Sequence, residues 1–273
     1  MTEPSPLITV IIPTYNGALY LQQAIESILK QTFQNFEIIV IDDASSDESF
    51  EIGAEFAATD SRIKLFKNEK NLGFARNRNK AISLARGNYI AWQDQDDISF
   101  PDRLELQFNL LESDSRIAMT GGAMLIFDDT GTLGIRHYPL NDSEIRKIIF
   151  RFSPIALPAC MMRKSALIEV GGYSERWSPA GDLDMTFKIG LSHRLANVPQ
   201  VTISYRIHEN SATNHHLKRI ENDSVRIRLG YAASSAYRMT TFDYLYNACH
   251  YLSIWLVPQP LKIWLFNKIR NSE

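Results

Sequence analysis

Apolar positions along this chain follow two rhythms that alternate. Strand-like, mainly apolar runs over residues 7–12, 36–41, 63–66 and 88–92 predict strands of a sheet, the first of them stopped by Pro13. Between them, apolar residues three and four apart predict helices. Leu21, Ile25, Ile28 and Leu29 share one face, residues 74–84 form a second such stretch, and residues 101–111 a third, with Pro101 at a first-turn position. Ser45 or Ser46 stands where a helix after the second run would be capped. This alternation, continuing to about Ile126, predicts βαβ units feeding a mostly parallel sheet flanked by helices, an α/β fold. Residues 117–127 read as a further strand, and Asp128-Asp129-Thr130-Gly131 has the composition of a hairpin turn.

Beyond about residue 133 the rhythm loosens. Expected there are a helix over 143–150, a strand over 159–163 and a helix over 164–170 ended by Gly171-Gly172. A helix from Gly181-Asp182 through Leu191 and an alternating strand over 198–207 follow. The stretch 244–269 is rich in aromatic and aliphatic residues, but Pro258 and Pro260 split it into pieces too short to span a bilayer. Trp255, Trp264, Leu265 and Phe266, interleaved with Lys262, Lys268 and Arg270, leave two readings open. One is an interfacial helix resting on anionic lipid, a peripheral membrane contact; the other is a terminal helix packing its apolar face on the domain. The organisation expected is one domain over 1–215, with halves over 1–127 and 128–215, and a C-terminal helical extension over 216–273.

In open sheets of this kind, ligands bind beyond the carboxyl ends of the strands. Those ends here are residues 13–16, Asp42-Asp43 and Asp94-Gln95-Asp96-Asp97. Three carboxylates within four positions repel one another and call for a cation. A hard divalent ion, Mg²⁺ or Mn²⁺, sharing its coordination with substrate phosphate, meets that need. The plainer reading is a solvated turn in which Asp97 or Ser99 caps the next helix.

Composition narrows the field. The 273 residues are enough for a full α/β core, and 45% hydrophobic with 22% charged residues is ordinary for a globular protein. A net charge of −2 provides no global basic field, so no nucleic-acid partner is expected. Cys160 and Cys249 are far apart without metal-type spacing, and residues 1–6 lack the features of a signal peptide, so a cytoplasmic location is expected, with the inner membrane face an option.

Four segments, in order, carry a resemblance. Val10-Ile11-Ile12-Pro13-Thr14-Tyr15-Asn16, Val40-Ile41-Asp42-Asp43-Ala44-Ser45-Ser46-Asp47, Asn71-Leu72-Gly73-Phe74-Ala75-Arg76-Asn77 and Asp94-Gln95-Asp96-Asp97 resemble the nucleotide-sugar glycosyltransferases of the GT-A fold, family 2. The likeness covers about the first 210 residues. It implies that Pro13, Thr14, Tyr15 and Asn16 line the nucleotide, that Asp43 accepts the imide N–H of uracil or thymine, and that Arg76 offsets diphosphate charge. Asp42 and Asp47 are left as loop and cap residues. Asp94 is expected at the ribose and metal shell, Asp96 as the direct ligand of Mn²⁺ or Mg²⁺, and His208, in Tyr205-Arg206-Ile207-His208-Glu209-Asn210-Ser211, as a candidate further ligand.

A sugar hydroxyl attacks well only as its proton is removed, so a general base is required. Ala180-Gly181-Asp182-Leu183-Asp184-Met185 resembles the family's Glu-Asp-any-Asp stretch, which carries the base over to Asp182 with Asp184 as the fallback. Gly181 stands where the family more often has Glu. The implied activity is inverting transfer from a nucleotide-sugar, UDP-linked first and dTDP-linked second, to a saccharide or lipid-linked acceptor in surface polysaccharide synthesis. The alternatives are a catalytically degenerate nucleotide-sugar-binding protein and a nucleotidyltransferase. The latter would need a cationic Gly-rich loop after the first strand, which residues 13–17 do not supply.

Overall fold

In the computed structural model, residues 6–209, 211–258 and 261–262 are described, without the side chains of residues 212–215. Nine strands form one sheet. Strands β1 (Ile8–Thr14), β2 (Phe36–Asp42), β3 (Ile63–Lys67) and β4 (Tyr89–Trp92) lie in the order β3-β2-β1-β4, all parallel. Beyond β4 the sheet turns mixed. The strands there are β5 (Ile98–Ser99), β6 (Ile117–Asp128), β7 (Gly131–Arg136), β8 (Met161–Arg163) and β9 (Arg194–Arg206). β8 runs antiparallel between β4 and β6, β9 lies parallel to β6, β5 closes the far edge against β9, and β7 pairs with β6 as the expected hairpin. The parallel sheet read from the sequence is thus the β3–β4 half, where βαβ crossovers dictate it.

β1, β2 and β4 are mostly apolar and almost wholly buried because helices cover both faces. Alternate residues feed two cores. Ile11, Ile39, Ile41, Ile90 and Trp92 pack toward helices α3 (Phe74–Leu84) and α7 (Gly181–Ser192). Ile8, Val10, Ile12, Ile38 and Val40 pack against α1 (Ala18–Leu29) and α4 (Arg103–Ser113), with α2 (Ser49–Thr59) at the edge. Each fully buried aliphatic side chain stabilises the fold by about 1.5–3 kcal/mol, and truncating Trp92, 0% exposed, to Ala should cost about 3–5 kcal/mol.

The less regular half holds α5 (Asp142–Ile148) and α6 (Lys164–Glu169), the latter ended at Gly171 and Gly172, both with φ near +70°. α8 (Ala212–Tyr231) and α9 (Thr241–Leu256) follow the sheet. The expected start of the extension at 216 therefore falls inside α8. Among the described residues no helix is long and apolar enough to cross a membrane. Pro260, Trp264, Leu265, Phe266, Lys268 and Arg270, singled out above, lie outside the described residues, as do Asn210 and residues 1–5.

Candidate functional site

The parallel register brings three loops to one edge: Thr14 pairs with Asp42, and Ile11 with Trp92. The loops after β1 and β2 are laced together. Asn16 and Ala44 both sit in the left-handed region, φ 48° and 62°, a conformation that costs a non-glycine residue about 1–2 kcal/mol. Hydrogen bonds hold it. Asp43 N donates to the Thr14 carbonyl (2.8 Å), Asn16 N to Ser45 Oγ (3.0 Å), and Ser46 N to Asn16 Oδ1 (2.9 Å). Asp47 accepts from Ser49 N (3.1 Å) and from Ala18 N at the start of α1 (3.0 Å). Ser45 thus serves the β1 loop rather than capping α2, and Asp47 takes the capping work that Ser45 or Ser46 was expected to do.

Asp43 is buried and already engaged. Its carboxylate accepts from Asn68 Nδ2 (2.7 Å), Leu72 N (2.8 Å) and Gly73 N (2.9 Å), which fixes the loop leading into α3 and leaves Oδ2 with one accepted bond. Thr14 is buried, Pro13 half-buried, and Tyr15 is 50% exposed with its ring available. Gln95 clasps the Tyr15 backbone, receiving from its N–H (2.8 Å) and donating to its carbonyl (3.1 Å). A Cβ on residue 17 would come within 2.3 Å of that amide, so any larger residue there would push Gln95 off the Tyr15 backbone.

At the centre stands Arg78, which the sequence reading did not select. Its guanidinium is buried, stacked on Phe74 (4.3 Å) and Trp92 (4.5 Å), and it donates to Asp182 Oδ1 (2.9 Å) and Asp94 Oδ1 (3.3 Å). One cation thereby joins the loop after β4 to the first turn of α7. Loss of water raises Asp94 to about 7, opposed by the Arg78 charge and reinforced by Asp96 and Asp182. Burial likewise raises Asp182, and Arg78 opposes it. Arg76, expected near the diphosphate, is 59% exposed and pairs with Glu175 at 2.7 Å; the structure places it outside this buried unit. The signal for Arg78 was in the sequence: with Ala75 and Ile82 it falls on the buried stripe of α3, and an arginine on a buried stripe needs acids facing it.

The two acids of α7 part company. Asp184 accepts from Tyr231 Oη (3.0 Å) and pairs with Lys188 (3.5 Å), so its carboxylate ties α7 to α8 and lies apart from the Arg78 unit. Gly181 also has a local reason. A Cβ there would meet the Phe74 ring at 3.0 Å and Tyr173 at 3.4 Å, the rings that surround Arg78, so the glutamate seen more often in the family would crowd them.

The last part of the site is delivered by β9. β5 pairs Ile98 with Ser204 and Ser99 with Ile203, which sets the end of β9 beside the acid loop. Arg206 N donates to Asp97 Oδ1 (2.9 Å), and Arg206 Nε to the Asp96 carbonyl (3.0 Å). His208 Nε2 then meets Asp96 Oδ2 at 2.8 Å. Asp97 is fully buried with Oδ2 lacking a hydrogen-bond partner, and burial together with Asp96 and Asp94 raises it well above the ordinary carboxylate range. It anchors the loop. Beneath it, buried Arg103 donates to Gln93 Oε1 (2.9 Å) and Ser99 Oγ (2.7 Å). Among the described residues no three His, Cys, Asp or Glu side chains form a ready-made metal cage. The pair Asp96 and His208, with Asp94 nearby, fits a different kind of site: one or two carboxylates and an imidazole hold an ion that completes its shell with phosphate oxygens.

Comparison with known proteins gives concordant results. A family model described as glycosyl transferase family 2 matches residues 9–171. EpsE of Bacillus subtilis is 41% identical over 169 residues, 62% of this chain and 60% of that protein, so the chain spans under two thirds of that relative. An uncharacterized glycosyltransferase of Methanocaldococcus jannaschii is 35% identical over 207 residues, 74% of this chain and 71% of its own length. Among solved structures, S. aureus TarS 1–349 in complex with UDP-GlcNAc superposes with a TM-score of 0.65 at 20% identity, covering 90% of this chain and 72% of that one. The mannosyltransferase PcManGT of Pyrobaculum calidifontis, in complex with GDP-Man and Mn²⁺, gives 0.63 at 16% identity, covering 98% and 80%. These likenesses bear out the α/β GT-A fold expected from the sequence.

Proposed function

The chain belongs to glycosyl transferase family 2, and from that premise we propose that it moves a sugar from a nucleoside-diphosphate donor to a hydroxyl of a saccharide or lipid-linked acceptor in surface polysaccharide synthesis. The transfer is a single displacement with inversion. The observation that carries this reading is the bridge made by the buried Arg78, which holds two half-buried acids together, Asp94 read as donor-side and Asp182 as acceptor-side. A UDP-sugar is the favoured donor and a dTDP-sugar the second. Asp43 Oδ2 accepts a single hydrogen bond and so keeps capacity for an imide N–H, and the exposed Tyr15 ring offers a stacking face.

Asp182 takes the proton from the acceptor hydroxyl as its oxygen attacks the anomeric carbon. Arg78 orients that carboxylate and favours its ionised form against the cost of burial. Asp96 and His208, with Asp94, would hold Mn²⁺ or Mg²⁺, which when bound neutralises the charge of the departing diphosphate. Asp184 is committed to Tyr231 and Lys188, and Asp94, the other carboxylate on Arg78, is assigned to the donor side, so neither is given the part of a covalent nucleophile. Both cysteines are free thiols, in keeping with a reducing cytoplasm.

Release of product from a nucleotide-sugar panel, with and without Mn²⁺, tests the reading. Metal-dependent UDP release is expected. Pyrophosphate release would replace the reading with a nucleotidyltransferase, and tight UDP binding without turnover would replace it with a binding protein.

A further inference from the structure

Helix α9 is built inside out. Apart from Ile254 its inner face is polar: Asp243 closes a capping box with Thr240 and pairs with Arg151 (3.0 Å), Asn247 donates to the Phe150 carbonyl (2.8 Å), and His250 approaches Glu221 (3.6 Å). Its outer face carries Phe242, Leu245, Cys249, Leu252 and Leu256, spaced three and four apart, flanked by Tyr244, Tyr251 and Trp255. Phe242 and Leu245 are each 61% exposed, Trp255 66% and Leu256 76%. A soluble domain would turn such a stripe inward, so a contiguous apolar stripe left outside marks a contact surface.

Charge says what the contact is. Residues 216–273 hold eight Lys and Arg against four Asp and Glu, net +4, whereas residues 1–215 hold 21 against 27, net −6. Among the described residues of the extension the acids are all paired: Glu221 with Lys262 (2.6 Å), Asp223 with Arg219 (3.7 Å) and Asp243 with Arg151. Lys218, Arg219, Arg226 and Arg238 stand exposed. In sequence, residues 244–272 contain no acid at all.

We propose that the outer face of α9 docks on an anionic lipid bilayer, the apolar stripe entering the acyl boundary and the net positive charge of the extension drawing it to the headgroups. A second copy of the chain fits less well, since it would set two net-positive extensions against each other. α8 begins just past His208, so docking would hold the catalytic rim at a fixed distance from the lipid surface.

The test needs no enzymatic turnover and so stands apart from the transferase reading. Sedimentation with vesicles compares phosphatidylcholine alone against phosphatidylcholine mixed with phosphatidylglycerol. The chain is expected to pellet with the mixed vesicles and to bind pure phosphatidylcholine about tenfold more weakly or worse. Leu252→Asp combined with Trp255→Asp should lower binding to mixed vesicles about tenfold or more, while melting as the parent does. If that pair melts early, Phe242→Asp with Leu245→Asp replaces it. The proposal fails if the parent chain ignores anionic vesicles, or if well-folded variants bind them as the parent does. It also fails if light scattering finds a dimer that the substitutions split, which would give the stripe to a second copy.

Discussion

The rim of the sheet and the terminal helix pair treat polarity in opposite ways. At the rim, charges are drawn inside: Arg78, Asp97, Arg103 and Asp43 are all nearly sealed from water, each in a network built from several chain segments. In α9 the buried polar groups serve local folding, and the outward face is apolar. Burying a charge costs several kcal/mol unless partners compensate it. At the rim that compensation comes from several chain segments at once and fixes the strand-end loops, whereas the buried polar groups of α9 pin one helix to its neighbours. Substitutions at the rim should damage turnover more than folding, and those inside the extension should do the reverse.

The largest effect expected is from Asp96→Asn, which should cut metal-stimulated donor turnover by about 10³-fold or more, read as UDP release across a Mn²⁺ titration. Asp182→Asn should lower kcat by about 10²–10³-fold while donor affinity, measured by calorimetry, stays within about twofold. Normal transfer by this variant would move the base to Asp184 or His208. On the other side of the comparison, Asp243→Ala should leave kcat unchanged at moderate temperature but lower unfolding free energy by about 1–3 kcal/mol in urea, because it removes a cap and unpairs Arg151. Tyr231→Phe should cost about 1 kcal/mol with little change in kcat, since it takes a hydrogen bond from Asp184 and nothing from the Arg78 unit.

The smallest effect concerns pH. Asp182 must be ionised to act, and its folded pKa is raised, so the acidic limb of kcat should lie above the ordinary carboxylate value of about 3.9. The same shift means that the native state holds this proton more tightly than the unfolded chain. Its contribution to stability is present at low pH and lost as pH rises through the folded value. A kcat profile with no limb above the ordinary range would take the base role from Asp182.

Much of this was legible in the sequence because backbone periodicity is local. Residues 74–84 were expected to be helical and α3 is Phe74–Leu84; the acids were expected at strand ends and stand there. What escaped depends on contacts between distant segments. β5 is two residues long and exists only because β9 lies beside it. The strand expected from Val198 begins at Arg194, since Pro199 interrupts the alternation. The sheet absorbs that proline where the β6–β9 register slips, Gly121 opposite Asn197 but Ala123 opposite Val201. Arg78 was passed over for Arg76 because nothing in a list of motifs says which arginine a helix turns inward.

The short β5–β9 pairing has a consequence for how such a protein can diversify. Two rungs of ladder act as a staple between Asp96 and His208, which lie 112 residues apart in the chain, so their meeting depends on the sheet and not on the connections between its strands. Exposed connections such as the β6–β7 turn can therefore be lengthened or trimmed while the Asp96–His208 corner keeps its shape.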